Sequence, residues 1–111
     1  MPRGIEEERA AVVWTTVGDV ERARLLAREI LERRLAACVS FVPHVRSLYR
    51  WKGSLEEEAE VALWIKTSSR HLDALRERLL ATHPYELPEF LVLDVAGGSP
   101  AYLAWIFDET A

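Results

Sequence analysis

The chain has 111 residues, a net charge of −4 and one cysteine, Cys38. That length fits a single domain burying roughly two-thirds of its extended-chain surface, and a lone thiol, which cannot form an intrachain disulfide, fits a reducing compartment or a symmetric intermolecular site, with the cytoplasm as the expected setting. The acidic balance argues against nonspecific nucleic-acid binding, and no run reaches the ~20 apolar residues of a membrane span.

Asparagine and glutamine are absent, and arginine outnumbers lysine twelve to two. Few thermolabile amides beside many ionic side chains suggest a thermophilic source, the alternative being a biased genomic base composition. Residues 1–9 read as a charged tail without the apolar core of a signal peptide, and residues 10–111 as the domain.

Ala10 to Thr16 is a β-branched apolar run closed by Gly18 and Asp19, the pattern of a buried strand. Asp19 can cap a helix in which Val20, Ala23, Ala27, Ile30, Leu31 and Leu35 form one apolar face. Ala37 to Val42 forms a second strand, Pro43 predicts a bulge or break, and Val45 to Trp51 continues it. Lys52-Gly53 supplies a turn into Leu55 to Ile65, exposed at its start and buried later, so a long protruding hairpin is expected. Ser68 or Ser69 can cap a second helix striped by Leu72, Leu75, Leu79 and Leu80, which Pro84 ends. Phe90 to Val95 is the fourth strand. After Gly97-Gly98, Ser99 caps and Pro100 begins a short terminal helix reaching Asp108.

This order predicts an α+β, ferredoxin-like β-α-β-β-α-β domain with an extended hairpin and a short C-terminal helix. Its long edges need covering. Tyr49, Trp51 and Trp64 on the hairpin favour self-association, since aromatic residues are enriched in interface cores; the alternative is that they fold back onto their own sheet.

Cys38 and His83 are the candidate soft-metal ligands, thiolate and imidazole together suiting copper or zinc. Each also has a structural reading: Cys38 as a small buried hydrophobe, His83 as a helix C-terminal residue facing the dipole. His44 and His71 read as solvated. Glu86 and Glu89 stand on a Pro-flanked segment, and with Lys66 and a tyrosine they could form a polar pocket or an ion pair. No Gly-rich phosphate loop, Ser-His-Asp grouping or close cysteine pair is present. The acylphosphatase reading of this topology fails for want of an asparagine, and the acidic balance opposes an RNA-recognition module.

The runs Glu32 to Val39, Ser47 to Gly53, Glu60 to Thr67, His83 to Glu89 and Tyr102 to Trp105, with Pro43 between them, resemble in order the CutA divalent-cation tolerance proteins. The resemblance implies a non-enzymatic homotrimer, PII-like in plan, in which hairpin strands pair across subunits and which is implicated in copper tolerance. It makes Trp51, Lys66, Tyr85 and Glu89 the candidates for an inter-subunit cleft, with His83, and secondarily Cys38, for the metal. The alternative it leaves is a PII-like sensor or scaffold binding a small ligand or partner in those clefts. Three departures stand out: Ser40 replaces the family's asparagine after Cys38-Val39, His44 its glycine, and threonines occupy the positions of two soft ligands found in some members. Weakly bound divalent cation, or one held by inter-subunit ligands, is therefore expected.

Overall fold

The computed structural model describes residues 8–111; the rest of the predicted tail, residues 1–7, lies outside them. The elements are β1 (Ala10–Val17), α1 (Val20–Glu32), β2 (Cys38–Trp51), β3 (Ser54–Ser68), α2 (Leu72–Thr82), β4 (Leu91–Asp94) and α3 (Pro100–Glu109). The sheet is antiparallel throughout in the order β2-β3-β1-β4. This is the predicted α+β, ferredoxin-like order.

Strand alternation sorts the side chains into two layers. Val13 and Val17 of β1 and Val61, Leu63 and Ile65 of β3 face α1 and α2, where they meet Ala23, Ile30, Leu75 and Leu79 in the main core. Burying a leucine such as Leu63 or Leu75 contributes about 1.5–3 kcal/mol relative to leaving it exposed. The opposite face carries Trp14, Ala62, Trp64 and Lys66. At one end of that second face α3 closes the sheet, since the Thr110 hydroxyl, just past the helix, lies 3.2 Å from Ser68 Oγ.

Asp19 caps α1 as predicted, its carboxylate accepting the Arg22 N–H at 2.8 Å. The helix stops at Glu32, short of Leu35. Arg34 enters the left-handed region at φ 58, and the N–H groups of Arg34 and Leu35 return to the carbonyls of Leu31 and Ile30, both at 3.0 Å. That nested pair of bonds satisfies the last carbonyls and turns Leu35 inward against the core.

The start of α2 differs from expectation. A 3-10 turn, Ser69–His71, precedes it, and its N-cap residue His71 makes no side-chain capping bond. Both serines predicted as caps are committed elsewhere: Ser69 Oγ accepts the Arg9 N–H at 2.9 Å, and Ser68 Oγ meets Thr110. Contacts with residues distant in sequence have taken the groups that local capping would use.

The hairpin is continuous. Val42 pairs with Ala62 and Val45 with Glu60, so Pro43 and His44 together oppose Val61 alone. The extra residue makes a β-bulge, with His44 at φ 66. Pro43 bends β2 without ending it.

Candidate functional site

The segment after α2 is positioned by β1. Thr15, fully buried, donates its hydroxyl to the Glu89 carbonyl at 2.6 Å, and the neighbouring Thr16 hydroxyl points to Glu89 Oε1 at 3.4 Å. His83 Nε2 lies 2.8 Å from the Thr16 carbonyl oxygen, while Nδ1 accepts the Tyr85 N–H at 3.2 Å. A carbonyl only accepts and a backbone N–H only donates, so these contacts match a neutral imidazole carrying its proton on Nε2. The ring also meets Tyr85 edge-on, centroids 4.6 Å apart. His83 thus holds the corner to the sheet.

That corner faces the hairpin across a cavity of about 550 Å3. Tyr85 reaches over to donate to Glu60 Oε2 at 3.0 Å. Beyond it Tyr49 donates to Glu58 Oε1 at 3.2 Å, and at the tip Lys52 pairs with Glu86 at 3.5 Å. Burial, then the Glu60 hydrogen bond and the charges of Glu60 and Glu58, push the Tyr85 phenol well above the ordinary tyrosine value. Desolvation and then Glu58 raise Tyr49 as well.

Three of the four residues assigned to the cleft, Trp51, Tyr85 and Glu89, line this cavity together. Lys66 does not. It lies six residues along β3 from Glu60, about 20 Å away, where its ammonium donates to Ser40 Oγ at 2.7 Å and lies 3.6 Å from Cys38 Sγ. The sequence reading missed Glu56, Glu58 and Glu60 as cavity residues. Their signal was present as carboxylates at every second position of a strand, which alternation puts on one side.

Within one chain the two metal candidates are not brought together. Cys38 shares a register row with Lys66 and Val12, and His83 docks at Thr16, four residues along β1. That offset alone is about 13 Å, far beyond what two ligands of one ion allow. Both ring nitrogens of His83 are also engaged, so a metal there would have to displace one contact. Among the described residues no group of three or more His, Cys, Asp or Glu converges as a metal site. His71, read as solvated, is a half-buried tie whose Nε2 bonds the Thr110 carbonyl. His44 is exposed, as expected.

The sheet face opposite the core is apolar and open over β4 and β3. Trp14 and Trp64 pack at 5.3 Å between centroids, yet Trp64 remains 40% exposed, Leu91 55% and Leu93 53%.

Residues 11–109 match the family model for the CutA1 divalent ion tolerance protein. The chain belongs to the CutA1 family. It is 47% identical over 97 residues to the divalent-cation tolerance protein CutA of Pectobacterium atrosepticum, covering 87% of this chain and 88% of that one. With the Thermus thermophilus protein of the same name it shares 43% over 99 residues, 89% and 96% of the two chains. Among solved structures, CutA from Xylella fastidiosa superposes with a TM-score of 0.89 at 40% identity, over 93% of this chain and 99% of that one. The long hairpin and the corner docked on β1 thus belong to a fold this chain shares with a solved CutA structure.

Proposed function

We propose that the chain works as a homotrimer that binds divalent cations, copper among them, without catalysing a reaction. The observation that carries the assembly is the open apolar face formed by Trp64, Leu91 and Leu93, together with the long outer edge of β2 on the far side of the sheet. Exposed apolar patches and unpaired edges are what subunit contacts cover, and a second and third copy supply matching surface. The lone half-buried thiol of Cys38 supports a reducing, cytoplasmic setting.

For the metal, the donors of a single chain do not fit, because Cys38 and His83 stand too far apart. A site using both takes them from different copies. Light scattering at low protein concentration tests the assembly; three chains are expected and a monomer overturns it. Titration with Cu(II) then compares the wild type with His83→Ala and Cys38→Ser. Weaker binding in either variant is expected, and identical isotherms remove both residues from the site.

A second reading rests on the cavity. Its size and its mixed aromatic and polar walls suit a small ligand, which supports a PII-like binding role for Trp51, Tyr85 and Glu89.

A further inference from the structure

We propose that the hairpin cavity takes an extended organic ammonium, of the diamine or polyamine class, in preference to a bare metal ion. The inference rests on the second reading above and specifies its ligand. Four observations point the same way: the spacing of the carboxylates, the aromatic walls, the charge balance, and an ammonium that the chain itself already seats at the rim.

Glu56, Glu58 and Glu60 lie on one face of β3 and border the cavity. Successive members stand about 6.6 Å apart along the strand. A hard cation needs its oxygens gathered at about 2.0–2.6 Å, and among the described residues no three acidic side chains are gathered in that way. A chain bearing ammonium groups separated by a few methylenes can answer several carboxylates in turn. The phenols reinforce the arrangement: Tyr49 and Tyr85 each fix one oxygen of Glu58 and Glu60 by donating to it, leaving the other oxygen of each carboxylate to accept.

Between the charges, the walls are the rings of Tyr49, Trp51 and Tyr85. Aromatic faces attract an ammonium and pack against its methylenes. Among the described residues lining the cavity Arg50 is the single cation, against five glutamates. At the rim, Lys52 shows the mode of binding: its ammonium lies 5.4 Å from the Trp51 ring centroid and 3.5 Å from Glu86. Both members of that ion pair are about two-thirds exposed, at 68% and 70%, and an exposed pair of this kind is weak and replaceable.

Calorimetric titration of the intact protein with spermidine at low ionic strength tests this, with MgCl2 as competitor. Saturable binding at one per chain is expected. Glu58→Gln and Trp51→Ala should each weaken it at least tenfold, and Lys52→Ala should tighten it several-fold by removing the internal competitor. Glu58→Gln and Lys52→Ala are surface changes, so the test survives if Trp51→Ala fails to fold. Absence of saturable heat, displacement by MgCl2 at equal charge, or an affinity unmoved by Glu58→Gln and Lys52→Ala overturns the inference. If spermidine fails while neutral or anionic metabolites raise the melting temperature of the wild type but not of Trp51→Ala, the cleft remains a ligand site and only its cation class falls.

Discussion

Tyr85 ties the corner to the hairpin through three contacts: its N–H and its ring rest on the His83 imidazole, and its hydroxyl on Glu60 of β3. Because the phenol is neutral when protonated and the folded state raises its value, the folded protein holds that proton longer than the unfolded chain. The stability involved is whole below the ordinary tyrosine value of about 10 and is lost as pH rises toward the folded value. Denaturant unfolding between about pH 10 and 12 should therefore show a steeper fall for the wild type than for Tyr85→Phe. Parallel curves would mean that the phenol titrates alike in both states. At neutral pH the same variant should cost about 0.5–1.5 kcal/mol, the net worth of one hydrogen bond. The identity of the corner as Pro-flanked and rigid was legible in the sequence; its attachment to Thr15 and Thr16 was not, because those partners lie more than seventy residues away.

At the scale of elements, the bulge in β2 is where sequence and geometry disagree most locally. His44 holds φ 66 with a full side chain, a conformation that costs a non-glycine residue roughly 1–2 kcal/mol. The resemblance had marked this position as one where relatives carry glycine, and the bulge gives the physical reason. His44→Gly should accordingly stabilise the fold, by up to about 1 kcal/mol once the entropy of glycine in the unfolded chain is subtracted. Urea unfolding reads the change; a loss of stability would show that the exposed imidazole makes a contribution outweighing the backbone strain. The helices tell a related story. Asp19 capped α1 as its local pattern dictated, whereas Ser68 and Ser69 were drawn away from α2 by Thr110 and Arg9. A capping motif predicts well only where nothing distant competes for the same hydroxyl.

For the whole molecule, the open sheet face governs the assembly we propose. Placing a carboxylate in its centre, as in Trp64→Glu or Leu91→Asp, would leave a charge unpaired in an apolar contact. Light scattering of either variant should fall from three chains toward one, with far-ultraviolet circular dichroism retained since the main core lies on the other face. An unchanged mass would show that copies meet elsewhere. By itself, the sequence determined the order of strands and helices, an irregularity in β2 at Pro43, the start of α3 at Pro100 and the family, because periodicity, turn chemistry and motif order are written locally along the chain. Only the tertiary structure decided which of the marked residues meet. It gathered Trp51, Tyr85 and Glu89 with the Glu56–Glu60 row, sent Lys66 to Ser40 and Cys38, and kept Cys38 apart from His83. Register and the docking of one loop on β1 fix those distances, and both arise from contacts between residues far apart in sequence, where local pattern carries no information.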